Sequence, residues 1–353
     1  MARRVAWWVL ACLAACAGVA REPWPARGTL LLIGGGLDDD NAPVYRRFLE
    51  LAAVAGAPRI VIATAATGPQ DEEATDKAES LRTWAPGVAI EVVRRETSTA
   101  ETVAAIDRAT AMFFTGGDQA RVTARYRPEG GSTPELEAMQ RLLARGGVIA
   151  GASAGCAMMG PQMLLGGRSA QALGVRGDDG ESGARLGAGM GFLPDILTDS
   201  HFFERDRLGR LVAGVTTAGL RVGLGVGEDA AVEVDLATGI AKGVSVSESL
   251  RVDTTHLHRD GDRWRGLRAR VLAQGERGEL RAGLGAAPPP ALDEATAREV
   301  PVVEPGQNRQ LALWRLFRQA VAAPGALRLR LVGHQVVAGR DGVVVAFALR
   351  TGP

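Results

Sequence analysis

The chain has little of what usually carries metal, redox or nucleic-acid chemistry. Among 353 residues there are only four histidines and three cysteines. Cys12 and Cys16 fall within the first twenty residues, so Cys156 stands alone in the rest and no disulfide framework can form there. Lysine is nearly missing: Lys77 and Lys242 are the only two, and arginine supplies the remainder of the 41 basic residues. Forty acidic residues leave a formal charge of +1, which gives no electrostatic case for a nucleic-acid partner. What is present, 46% hydrophobic against 23% charged residues, suits a globular chain with a sizeable core. One large domain or two smaller ones would accommodate it.

Residues 1–20 read as an export signal. Arg3 and Arg4 precede an apolar run from Val5 to Ala15 that is too short to cross a bilayer as a helix. Leu13-Ala14-Ala15-Cys16 has the form of a bacterial lipobox, in which the cysteine is acylated. Ordinary cleavage near Ala20, after Gly18-Val19-Ala20, is the rival. The expected address is periplasmic or extracellular, with membrane contact only through a lipid on Cys16.

From Gly28 onward, apolar runs alternate with amphipathic segments. Gly28 to Gly34, Arg59 to Ala63, Val88 to Val93, Ala111 to Phe114 and the run from Gly147 read as buried strands. Arg47 to Ala55, Asp71 to Trp84, Thr99 to Ala109 and Pro134 to Arg145 read as the helices between them. The pattern predicts an α/β fold of three layers, a mainly parallel sheet covered by helices on both faces. Such sheets place their sites beyond the carboxyl ends of the strands, where Gly34–Gly36, Gly116–Gln119 and Ser153 would gather. The Gly34–Gly36 triplet lacks the Gly-x-Gly-x-x-Gly spacing of a nucleotide loop and reads as a tight turn beside the site. The main domain is expected over 28–282. Residues 283–307, with Pro288-Pro289-Pro290, read as a linker or loop, and 308–353 as a small α+β extension.

Within that frame one stretch stands out, Gly147-Val-Ile-Ala-Gly-Ala-Ser153-Ala-Gly-Cys156. The small residues around Ser153 permit a sharp strand-to-helix elbow that lifts one hydroxyl clear of the backbone. The following helix offers free N–H groups to an oxyanion formed there. A serine nucleophile needs a base, and the base needs an acid to orient it. His256 and His258 alternate on an exposed strand and His334 sits in the tail, which leaves His201 as the base. After it come Arg205, Arg207 and Arg210, either a solvated basic helix or a pocket for substrate carboxylates. Asp199 could grip a cationic substrate group or pair with one of these arginines. For the acid, Glu228 and Asp229 are both available, and spacing does not separate them. The chain order serine, histidine, acid differs from that of lipases and esterases. A glutaminase-like enzyme would want cysteine at Ser153; Cys156 reads instead as a small buried residue behind the elbow.

Four blocks, Phe114-Thr-Gly-Gly-Asp-Gln119, Gly151-Ala-Ser-Ala-Gly155, the run from Asp199 to Leu211, and Gly223-Leu-Gly-Val-Gly-Glu-Asp-Ala230, together resemble the cyanophycinase family, serine peptidases related to peptidase E. The likeness runs from about Gly28 to about Val252. It implies a flavodoxin-like sheet with Ser153 as nucleophile, His201 as general base and Glu228 as orienting acid. It also implies an oxyanion hole from Gly116, Gly117 and Ala154, and substrate contacts from Gln119, Asp199, Ser200, Arg205, Arg207 and Arg210. The implied reaction releases β-Asp-Arg dipeptides from cyanophycin through a serine ester, with no metal or cofactor. Relatives of this kind are commonly homodimers, so a second copy is an expected partner. Ser200 departs from the family's glutamine at that position, which opens an aspartyl dipeptidase as the alternative. A non-catalytic periplasmic peptide-binding protein is the remaining one, although a binder need not keep serine, histidine and acid together.

Overall fold

A computed structural model of the chain describes residues 27–54, 56–174, 183–287, 292–300, 311–322, 324–331, 334–341 and 344–351. The expected export signal over 1–20, and Cys16 with it, lies outside the described residues, as does the triple proline at 288–290. Among the described residues no helix is long and apolar enough to cross a membrane.

Five strands, β1 (Thr29–Ile33), β2 (Arg59–Ala63), β3 (Ala89–Val93), β4 (Ala111–Phe114) and β5 (Val148–Ala152), pair in parallel in the order β1-β5-β4-β2-β3. Between them run α1 (Ala42–Ala52), α2 (Gln70–Trp84), α3 (Thr99–Arg108), α4 (Gln119–Tyr126) and α5 (Pro134–Ala144). Alternate residues of one strand feed two separate cores, as continuous apolar runs require. Leu31 and Ile33 pack with Phe48 of α1 and Leu81 of α2, whereas Leu30 and Leu32 pack with Ile106 of α3 and Met139 of α5. The central sheet is therefore mainly parallel and covered on both faces, in a mixed α/β fold. Helix α1 starts five residues before the sequence reading. Asn41 caps it by accepting from the Val44 N–H, and Pro43 follows in the first turn.

After β5 the chain makes the single turn α6 (Ala154–Ala157). It then forms the hairpin β6 (Gln162–Gly166) and β7 (Arg185–Ala188), with α7 (Ser169–Ala172) between them. β8 (Ile196–Asp199), α8 (Leu208–Thr217) and β9 (Val222–Val226) come next, with β8 and β9 parallel. β9 does not join the first sheet. It pairs antiparallel with β12 (Ser249–Asp253), founding a second sheet. β10 (Ala231–Asp235) and β11 (Ile240–Gly243) return to the first sheet, antiparallel beside β1. β13 (His258–Asp260) and β14 (Arg263–Leu272) extend the second sheet, and β15 (Arg277–Glu279) closes the edge of the first.

The tail supplies β16 (Arg298–Glu299), α9 (Leu311–Ala322), β17 (Leu327–Leu331), β18 (His334–Asp341) and β19 (Val344–Thr351). β19 pairs with β14, so the last three strands continue the second sheet to nine strands. That sheet was not separable in the sequence, where all these runs look alike. Its mixed Val-Gly pattern is what joins the two halves. Val222, Leu224 and Val226 of β9 face the core of the first sheet, while Gly223 and Gly225 face the other way. A Cβ on Gly225 would overlap the Phe202 ring, so the ring lies flat on bare backbone.

Candidate active site

The carboxyl ends of β1, β4, β5, β8 and β9 meet at one place, and each delivers one part of the site. Where β5 ends, Ser153 takes φ 52°, ψ −106°, a region that costs a non-glycine residue of order 1–3 kcal/mol. Its backbone is pinned on both sides. The Ser153 N–H donates to the Ile33 carbonyl at 2.9 Å, and its own carbonyl accepts from Cys156 and Ala157 at 3.0 Å each. The turn has no room for side chains. A Cβ on Gly155 would sit 2.8 Å from the Phe114 carbonyl, and one on Gly151 would overlap Gly155. Cys156 is fully buried behind the turn, and burial pushes its thiol well above the usual range.

His201 follows β8 with φ 44°. Its N–H donates to the Gly34 carbonyl at 2.8 Å, and the next N–H, of Phe202, reaches Val226 at 3.1 Å. These two bonds tie the histidine to the first sheet through β1 and to the second through β9. The imidazole Nε2 is 2.7 Å from Ser153 Oγ, and Nδ1 is 2.6 Å from Glu228 Oε1. Burial lowers the imidazole pKa below its ordinary value, against the raising effect of the Glu228 hydrogen bond. The guanidinium charges of Arg205 and Arg207 lower it further. The ring is thus neutral near pH 7. A carboxylate only accepts, so Nδ1 carries the proton and Nε2 offers its lone pair to the serine hydroxyl.

The glycine triplet after β1 explains itself here. Gly35 has φ 100°, and a Cβ on it would come within 2.5 Å of His201 Nε2. Gly36, at φ 54°, faces the Glu228 side chain at 3.3 Å. We expect Gly35→Ala to fold yet lose at least about 100-fold in kcat/KM, because the imidazole must move off line. Circular dichroism with steady-state kinetics on the same preparation checks this, and unchanged kinetics would show the site tolerates the displaced ring.

Glu228 and Asp229 point to different neighbours, which spacing alone did not reveal. The Asp229 backbone (φ 54°) turns its carboxylate away from His201. Asp229 Oδ1 accepts from the Asp38 N–H at 3.1 Å and from Asn41 Nδ2 at 2.7 Å. Asn41 also reaches the Asp229 carbonyl and Ser245 Oγ, and Ser245 donates to that same carbonyl. Asn41, Asp229 and Ser245 thus lock the turn that carries Glu228. Sequence reasoning missed all three in this capacity. The one available signal was Asn41 two residues before Pro43, a helix-start pattern.

Beside Ser153 lie the N–H groups of Gly116, Gly117 and Ala154. A Cβ on Gly116 would touch the Ser153 Cβ at 3.4 Å, so backbone alone borders the serine there. Among the described residues, none of these three N–H groups meets an acceptor. Gln119, at the start of α4, spends its amide N–H on the Leu164 carbonyl at 2.6 Å.

The three arginines divide sharply. Arg205 is exposed and close enough to His201 for its charge to be felt there. Arg210 is buried, its Nε and Nη2 forked onto Asp199 at 2.7 and 2.5 Å and its Nη1 on the Gly167 carbonyl at 3.2 Å. Arg207 Nη1 adds a third contact to Asp199 at 3.2 Å and binds the Ser200 carbonyl at 2.7 Å. Burial lowers the Arg207 pKa to about 10, with Asp199 opposing the shift, so it stays charged at neutral pH. Asp199 is fully buried among these donors, and Ser200 is buried beside it with its hydroxyl only 3.5 Å from Arg207. Of the residues named for substrate contact, Arg205 reaches open solvent, whereas Asp199, Ser200 and Arg210 lie beneath the surface.

A hydroxyl, an imidazole and a carboxylate in one hydrogen-bonded line, at the carboxyl edge of a parallel sheet, define a serine-type hydrolase. The profile of peptidase family S51 matches residues 30–239, and the chain belongs to this family of serine peptidases. A cyanophycinase of Nostoc sp. is 28% identical over 222 residues, 59% of this chain and 68% of that protein. One from Synechococcus elongatus is 34% identical over 137 residues, 38% of this chain and 39% of that protein. Among solved structures, a peptidase from an acI-B1 Actinobacterium aligns with TM-score 0.51 at 17% identity, covering 73% of this chain and 98% of that one. That likeness concerns the fold.

Proposed function

We propose that the chain is an exported cyanophycinase-like exopeptidase, cutting cyanophycin to β-Asp-Arg dipeptides through an acyl-enzyme on Ser153. The observation that carries this reading is the line Ser153–His201–Glu228, with contacts of 2.7 and 2.6 Å. The turn at Ser153 then acts as a nucleophile elbow. Ser153 Oγ attacks the scissile carbonyl as its proton passes to His201 Nε2, and Glu228 steadies the imidazolium. The N–H groups of Gly116, Gly117 and Ala154 receive the developing oxyanion. His201 then protonates the leaving amine, and water enters by the reverse sequence to free the acid and regenerate the serine. Arg205 is the side chain best exposed to hold a substrate carboxylate. Export is supported by Arg3, Arg4 and the apolar run from Val5 to Ala15, with either a lipid on Cys16 or cleavage near Ala20.

One observation favours a second reading, an aspartyl dipeptidase with the same serine chemistry. Asp199 is already neutralised by Arg210 and Arg207, so it offers no free charge to a substrate arginine. Incubation of the purified protein with insoluble cyanophycin, with products identified by mass, separates the two. Release of β-Asp-Arg is expected. Intact polymer alongside cleavage of short aspartyl peptides would replace the first reading with the second.

The imidazole also sets a pH profile. His201 must be neutral to accept the serine proton, and burial holds its pKa below the ordinary 6.5. Activity is therefore expected at full strength above that value and lost only as the pH falls below it. Measuring kcat/KM from about pH 4 to 9 checks the position of this acid limb. A limb above 6.5 would contradict a desolvated, neutral base.

A further inference from the structure

The tail beyond the family-matched segment reaches back to the site at two points. Its α9 and strands bury Leu316, Phe317 and Phe347 in one continuous core with Phe202 and Phe203, the two residues after His201. On one flank Arg318 of α9 donates to Glu248 Oε1 at 2.5 Å, and Glu248 is only 5% exposed. The Glu248 carbonyl lies 2.8 Å from where a Gly227 Cβ would be, and the Phe203 ring closes the opposite side at 3.1 Å. Gly227 immediately precedes Glu228. The backbone that sets the height of the acid is thus wedged between a residue held by α9 and the histidine loop.

On the other flank His334, the first residue of β18, is 1% exposed, and its Nε2 lies 3.4 Å from Asp206 Oδ2. Asp206 sits between Arg205 and Arg207 with φ 46°, its carbonyl taken by Ser169 Oγ at 2.5 Å. Both contacts fall within two residues of groups the reaction needs, although the tail itself touches none of the reacting atoms.

We infer that residues 311–351 are a positioning element of the active site, with Arg318 fixing the Glu228 turn through Glu248 and His334 fixing the arginine loop through Asp206. This rests on the reading of Ser153, His201 and Glu228 as the catalytic set. Two effects follow. Losing Arg318 leaves a buried carboxylate unpaired against the Gly227 backbone, so Glu228 drifts and serine activation suffers. Losing His334 frees Asp206, so the grip on substrate carboxylates weakens while serine activation persists.

The test uses the full chain and a fluorophosphonate, which labels the serine when Oγ displaces fluoride from phosphorus and His201 takes the proton. Arg318→Met is expected to slow labelling roughly tenfold, a fraction of what about 1 Å of misplacement can cost. Arg318→Lys, which keeps the charge, should recover most of the rate. His334→Leu is expected to label within about twofold of wild type yet raise KM several-fold for acidic peptides, the mark of lost ground-state binding. Arg318 is half exposed, so its replacement leaves a folded protein even if His334→Leu does not. A folded Arg318→Met protein that labels at the wild-type rate overturns the positioning role alone. A wild type that does not label overturns the catalytic reading and this inference with it.

Discussion

Ser153→Ala is expected to lower kcat by about 10⁴- to 10⁶-fold with little change in KM, the loss typical of removing the nucleophile from a serine–histidine–acid set. The reasoning is local. Ser153 Oγ makes the 2.7 Å contact with His201 Nε2. Alanine keeps the same backbone, including the bonds to Ile33, Cys156 and Ala157, and its Cβ is no larger than the one already there. The strain at φ 52° is also unchanged, so the variant should unfold at nearly the wild-type temperature. What vanishes is the atom that becomes acylated. Quenched-flow mass spectrometry with a slow peptide substrate should show wild type gaining the acyl mass and the variant gaining none. A variant that keeps more than about a hundredth of the wild-type rate would mean water attacks directly and the serine is not acylated.

How much of this was legible in the sequence follows from the range of the interactions involved. The strand of Ser153 could be read because β5 is a continuous apolar run, and its turn because glycine and alanine surround the serine. His201 could be singled out because there are only four histidines. The assignment of strands to sheets was not legible. β9 and β10 are separated by a four-residue turn, yet β9 pairs with β8 and β12 while β10 pairs with β1. Pairing is decided by which face finds a partner across long sequence separations, and the Val-Gly alternation of β9 is the only local trace of it. The three arginines were equally opaque. They look alike within six residues, but Arg210 sits on the buried side of α8 above Asp199, while Arg205 lies in the preceding loop facing solvent. Burial, not spacing, separates an internal ion pair from a free cation.

The choice between neighbouring acids makes the second large prediction. Glu228→Gln is expected to reduce kcat/KM by about 10³- to 10⁴-fold, because an amide neither stabilises the imidazolium nor enforces the Nδ1 tautomer. Asp229→Asn should stay within about threefold. Its amide oxygen still accepts from Asp38 and Asn41, so the cost falls on stability, about 1 kcal/mol for a weakened charged hydrogen bond. The pH profile distinguishes a lost acid from a merely disturbed turn. Burial and the two nearby guanidiniums lower the His201 pKa, and the Glu228 hydrogen bond and charge are what raise it. Removing that charge must therefore shift the acid limb of the remaining activity to lower pH, whereas damage to the fold would lower the plateau and leave the limb in place. A slow enzyme with its limb displaced downward identifies Glu228 as the group that holds the proton-accepting imidazole. A slow enzyme with an unmoved limb would assign the loss to the turn around Gly227 and leave the imidazole to be oriented by its buried surroundings alone.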